Sequence, residues 1–169
     1  MLNLKKLFHT SMLICLAFYI NFAYASNLQF VFIQSAQTAH LTMVDKKSHS
    51  YLLTMKMVSP VVHYISDRPQ RIAGAILTSQ FYKTWNAGTA DSFQKDSPNV
   101  SLVGIEPIKN HQVKRVILPM VLSNPQYHQN KNEISYQVKL LGSSNVTQVS
   151  INNAILFIDS DWCPSCCCG

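Results

Sequence analysis

Apolar and polar residues alternate with a period of two along most of this chain. Leu28, Phe30 and Phe32 share one face with Gln29 opposite. Tyr51, Leu53, Met55 and Met57 alternate with Thr54 and Lys56, and Ile134, Tyr136, Val138 and Leu140 with Ser135, Gln137 and Lys139. Side chains of a strand point to opposite faces in turn, so this pattern predicts strands that lay one face on a core. Val116, Leu118 and Met120 continue it, but Pro119 cannot donate to a ladder and predicts an edge or a bulge there. Ala154–Ile158 is apolar throughout and predicts a strand covered on both faces. Shorter strands are expected at His40–Val44, Val61–Ile65 and Asn99–Ile105.

One helix breaks the pattern, at about residues 78–86. Thr78 is placed to cap it, Phe81 and Trp85 lie one turn apart on one face, and Gly88 follows its end. Two turns do not hold in water alone, so the helix must lean on the sheet. Turn residues separate the strands at Asp45-Lys46-Lys47, Ser59-Pro60, Ser97-Pro98-Asn99, Asn124-Pro125, Asn130-Lys131-Asn132, Leu141-Gly142-Ser143 and Asn152-Asn153. Seven or eight short strands spaced in this way predict a mainly β fold, an antiparallel two-layer sandwich with one short helix.

The first 25 residues follow another rule. Lys5 and Lys6 precede an apolar run from Leu7 to Phe22, and small residues at Ala23 and Ala25 suit a signal peptidase. The leader is expected to be cleaved before Ser26, giving a secreted or periplasmic protein. His9, Thr10, Ser11 and Asn21 interrupt the run, which falls short of the roughly 20 apolar residues of a spanning helix. No later stretch is long and apolar enough to span, so no membrane span is expected after cleavage. Residues 26–160 then form a single β-rich domain, and residues 161–169 a cysteine-rich tail. Loss of the two leader lysines lowers Lys+Arg from 14 to 12 against 8 acids, a net charge of +4. That mild, scattered charge lacks the dense basic stripe of a nucleic-acid binder.

Between two apolar stretches stands Ser66-Asp67-Arg68-Pro69-Gln70-Arg71-Ile72-Ala73-Gly74. Pro69 drives Arg68 toward an extended conformation, and Asp67 is in reach of either arginine. Asp67, Arg68 and Arg71, with Trp85 as an aromatic platform, form the candidate site for an anionic or carboxylate-bearing ligand. The competing reading is a structural ion pair at a strand-to-helix corner, with Phe81, Trp85 and Phe93 in the core. With Phe81 and Trp85, Phe93 and Pro98-Asn99, the Asp-Arg-Pro-x-Arg-x-Ala-Gly block resembles an uncharacterised family of small exported bacterial proteins. Leu156-Phe157-Ile158-Asp159 is similar to that family's terminal strand. The resemblance implies a shared fold unit and carries no chemistry with it.

Four of the five cysteines, Cys163, Cys166, Cys167 and Cys168, lie in the last seven residues, and none lies between Ser26 and Trp162. No disulfide within one chain can therefore staple the domain. Trp162-Cys163-Pro164-Ser165-Cys166 is similar to the thioredoxin-type Trp-Cys-x-x-Cys motif, yet three residues after it leave no room for the helix that activates such a thiolate. Four thiolates also suit Zn or Cu(I), although three consecutive cysteines wrap poorly around one ion. A disulfide-linked dimer or a tail without chemistry completes the alternatives. Otherwise there is no Gly-x-Ser-x-Gly elbow and no phosphate loop, and the histidines lack metal-ligand spacing. The sequence-level expectation is a non-catalytic binding or interaction protein outside the cytoplasm, with an unknown ligand or protein partner and no cofactor. The alternative is a thiol-dependent role through the tail.

Overall fold

In the computed structural model, residues 29–67, 70–88, 92–110, 112–142 and 146–160 are described. Eight strands form, and one of them, Ile72–Leu77, lies outside the expected alternation. These are β1 (Phe30–Asp45), β2 (Ser50–Val58), β3 (Val61–Ser66), β4 (Ile72–Leu77), β5 (Asn99–Pro107), β6 (Val113–His128), β7 (Glu133–Leu140) and β8 (Gln148–Ser160). A helix, α1 (Thr78–Trp85), follows β4, and a short 3₁₀ turn (Gln129–Lys131) joins β6 to β7. The fold is mainly β and antiparallel, with one short helix, as the pattern requires.

All eight strands belong to one sheet in the order β2-β7-β6-β5-β8-β1-β3-β4, and β2 also pairs with β1. That extra pairing closes six strands into a ring, β1-β2-β7-β6-β5-β8. The two facing layers of the expected sandwich are thus opposite walls of one hydrogen-bonded sheet. A long β1 makes this possible by serving two neighbours along one side. Val31–Ile33 pair with β3, and Ala36–Asp45 pair with β2. The β3–β4 hairpin therefore extends one wall beyond the ring.

The change of neighbour coincides with a kink shared by three strands. Buried positions run Phe30, Phe32, Gln34, Ala36 and then Ala39, Leu41 on β1, a shift of one residue. On β2 they run Tyr51, Leu53, Met55 and then Val58, and on β8 Val149, Ile151 and then Ala154, Leu156, Ile158. Each strand thus carries one extra outward residue, as in a β-bulge. Met57 (φ 53°) and Asn153 (φ 51°) sit in the left-handed region on the strands either side of Gln37. Because all three shift together, β1 keeps its register with β2 and β8 across the kink, whereas β8 slips by one residue against β5 between Val103 and Ile105. Met57 is consequently 60% exposed and leaves the face expected of it, and Val58 takes the inward place.

Helix α1 lies across one end of the ring. Phe81, Tyr82 and Trp85 are buried, and their rings meet Phe32 of β1, Tyr127 of β6 and Tyr136 of β7. Trp85 and Phe93 meet with their rings tilted, 4.6 Å between centroids. Burial of side chains of this size stabilises by about 1.5–3 kcal/mol each, enough to hold a helix too short to stand alone. Thr78 does not cap the helix. Leu77 occupies that place without a side-chain bond, and the buried Thr78 hydroxyl donates instead to the Ser59 carbonyl at 2.7 Å. Pro119 sits where the β6–β7 ladder runs out: its carbonyl still accepts the Leu141 N–H at 2.9 Å, and its nitrogen, which has no proton to donate, begins the stretch of β6 that pairs with β5 alone.

Candidate functional site

The strand Ala154–Ile158 departs most informatively from expectation. Its inner residues Ala154, Leu156 and Ile158 are buried, but among the described residues no second layer covers Ile155 and Phe157, and Phe157 is 38% exposed. The extra residue at Asn152-Asn153 sets this phase: without it Ile155 and Phe157 would turn into the core.

The register then assembles a surface. Ile33 of β1 lies opposite Phe157, and Ile155 opposite Val103 of β5, which in turn faces Ile117 of β6. Side chains opposite one another on one face of a sheet are in contact range, so these five residues form one apolar belt across four strands. Ile117 is 61% exposed, and Ile65 of β3 adds an exposed apolar residue beside β1. The opposite wall differs. On β2 and β7 the outward positions include Thr54, Lys56, Glu133, Ser135, Gln137 and Lys139, with Lys56 and Glu133 paired at 3.8 Å. That wall is mainly polar, with Leu52 (41% exposed) as its apolar exception, whereas the belt is apolar along its row and flanked by Ser35 and Ser101. Single exposed apolar residues are ordinary; what distinguishes these is that the register sets them side by side on one face.

Two surface clefts border the belt. One, about 360 Å³, lies between the β5–β6 hairpin and the start of β8, and reaches from Ile117 to Gln148 past Glu106, Lys114 and Arg115. Lys114 and Glu106 pair there at 3.3 Å. The other, about 280 Å³, follows the shared kink and is lined by Ser35, Gln37, Met57, Ser59, Asn153 and Ile155. Neither gathers groups suited to bond-making. Among the described residues no three His, Cys, Asp or Glu side chains come together as a metal site, and no helix is long and apolar enough to cross a membrane. The Asp45 carboxyl is held below its ordinary range by the Ser48 hydroxyl and the Lys47 N–H, which accounts for a tight turn.

The candidate site expected from the sequence does not assemble as a unit. Asp67 and Arg71 do pair, Oδ1 to Nε at 3.3 Å, across the turn from β3 to β4, and both are largely exposed. The pair therefore closes a hairpin rather than a strand-to-helix corner. Trp85 is 1% exposed within the aromatic core and offers no platform to a ligand at that turn. Arg68 lies outside the described residues, as do Ala23, Ala25 and Ser26 of the leader and Cys163, Cys166, Cys167 and Cys168 of the tail. The belt residues escaped the sequence reading because an all-apolar strand looks the same whether its second face is covered by this chain or by another. The Asn152-Asn153 pair just before it was the available signal of a change in phase.

No family model, no curated protein and no solved structure matches the chain.

Proposed function

We propose that this is an exported, non-catalytic interaction protein that holds a protein partner against the outer wall formed by β1, β8, β5 and β6. The single observation carrying this reading is the outward row Ile33, Phe157, Ile155, Val103 and Ile117, set against a mainly polar wall on β2 and β7. Leaving such a surface in water forgoes roughly 25 cal/mol per Å² that covering it recovers. The leader-like N-terminus and the resemblance to small exported proteins support a place outside the cytoplasm. The partner is expected to offer a complementary apolar surface with a polar rim that meets Lys114, Arg115 and Glu106.

The test is retention of partners from the native compartment by the processed chain and by two wall variants, Phe157→Lys and Ile117→Glu, with Lys139→Glu on the polar wall as control. Thermal unfolding establishes that each variant folds. The expected result is that the same proteins are retained by the parent and the control and lost by both wall variants. Equal retention by folded wall variants would overturn the assignment.

A further inference from the structure

We propose that the chain also pairs with a second copy of itself, edge to edge, through β4. Strand β4 ends the strand order and pairs with β3 alone. The Thr78 N–H donates to the Pro60 carbonyl at 2.9 Å, which fixes the phase of the β3–β4 ladder. Ile76, Gly74 and Ile72 then bond inward to Val62, Tyr64 and Ser66. By the same alternation Ala73, Ala75 and Leu77 turn their N–H and C=O groups outward, where no other strand lies among the described residues.

This edge is unguarded. Exposed edges in natural sheets are usually blunted by charge, proline or bulges, because bare ladder groups recruit another strand. The stretch of β6 ahead of β7, which pairs with β5 alone among the described residues, follows that rule with Lys114 and Arg115 and ends at Pro119. Ile72–Leu77 has neither charge nor proline, and its outward side chains at positions 73 and 75 are only methyl groups.

The sequence also favours a second copy as the occupant. Ile72-Ala73-Gly74-Ala75-Ile76 reads identically in both directions, so a two-fold antiparallel pairing centred on Gly74 sets small residues against small ones and isoleucine against isoleucine. With the axis at Gly74, Ala73 faces Ala75 of the partner subunit, and Ala75 faces Ala73 of the partner subunit. Ladder phase makes both of these hydrogen-bonded pairs, so four N–H···O bonds form at the centre. Ile72 meets Ile76 of the partner subunit on the inner face. The axis stands perpendicular to the sheet, so the outer walls of both copies face the same way. Self-pairing goes beyond the wall reading and does not depend on it. Pairing limited to six residues per chain covers little area, so the dimer is reversible and concentration-dependent.

Sedimentation velocity of the processed chain over a range of concentrations tests this, in a thiol reductant so that tail disulfides cannot supply a dimer. Amide hydrogen exchange provides the positional readout. The expected result is a monomer–dimer equilibrium in which the Ala73 and Ala75 amides gain protection as concentration rises. Ala75→Pro deletes an outward N–H without touching the β3 ladder, and is expected to weaken dimerisation by about tenfold or more. Ala73→Lys adds the missing guard and should do the same while keeping the N–H, so it decides the matter should the proline variant misfold. A monomer at every concentration, or a dimer unchanged in a folded variant, would overturn the proposal.

Discussion

Tyr64 of β3 covers Gly74, its cross-strand partner on β4, so closely that a Cβ at position 74 would overlap the hydroxyl end of the ring. The same ring meets Phe30 edge-on at 5.9 Å and Phe32 at 6.2 Å, and so ties the hairpin to the end of the ring of strands. Glycine at 74 is therefore a space requirement. Gly104 of β5 answers a harder version of it, since a Cβ there would meet the Asn152 carbonyl oxygen at 2.9 Å as well as the Ile151 side chain. A tyrosine tip can swing aside; the backbone of a bulged strand cannot. Gly74→Ala is expected to cost about 1 kcal/mol and Gly104→Ala about 2–3 kcal/mol in chemical denaturation. The reverse order would show that the Tyr64 ring is the more rigid neighbour.

Tyr82 of α1 and Tyr136 of β7 share a hydrogen bond in the core. Loss of one hydroxyl strands the other, so Tyr82→Phe and Tyr136→Phe should each destabilise by about 1–3 kcal/mol. The double variant should recover most of that, leaving a clear coupling energy in a double-mutant cycle.

Burial raises both phenols above the ordinary value of 10.0; the shared bond partly offsets this for Tyr82 and reinforces it for Tyr136. The folded state thus keeps protons that the unfolded chain releases above that value. The pair's contribution is fully present below about pH 10 and is lost as pH climbs beyond it, by up to about 1.4 kcal/mol per pH unit for each phenol. Denaturation midpoints measured from pH 8 to 11 should be level and then fall. The double phenylalanine variant should fall less steeply; an identical slope would mean that other groups govern alkaline unfolding.

How much of this was legible depends on what each residue's neighbours must supply. Most strands were readable because each carries its own alternation; β4 was not, since Ile72–Leu77 is apolar without alternating, and Asn124-Pro125 and Asn152-Asn153, which look like turns, lie inside β6 and β8. The burial of Phe81 and Trp85 follows the core reading and not the platform one, and the helix was readable from their one-turn spacing. Ring closure was not, since nothing in residues 30–45 shows that one strand changes neighbours halfway. Nor was the exposure of Met57, because three strands distant in sequence shift phase together. The outer wall stayed hidden for the same reason: the burial of Phe157 depends on what lies above it, which its own strand does not encode.

Gln34 is fully buried on β1, and its Oε1 has no partner among the described residues. Its Nε2 donates to the Ser35 and Ser59 carbonyls at a long 3.4 Å each. Those carbonyls have better donors already, the Ser59 N–H at 2.9 Å and the Thr78 hydroxyl at 2.7 Å. Gln34→Met keeps the volume and removes the orphaned oxygen. It should leave stability unchanged or raise it by about 1–2 kcal/mol. A loss of that size in urea unfolding would mean that the amide oxygen is satisfied in solution.

The exposed Asp67–Arg71 pair has little to contribute to folding, because solvent screens it. Arg71→Ala should leave stability within about 0.5 kcal/mol of the parent. A larger drop in the melting temperature would restore the pair as a structural lock.

The outer wall is tested most directly by placing a photoreactive amino acid at one position at a time in the living source cell. Positions 157 and 117 sample the apolar wall, and positions 54 and 137 the polar one. The expected result is discrete adducts to another polypeptide from 157 and 117 and none from 54 and 137. Adducts from the polar wall alone, or from no position in a chain shown to be folded, would contradict the assignment of this face as the binding surface.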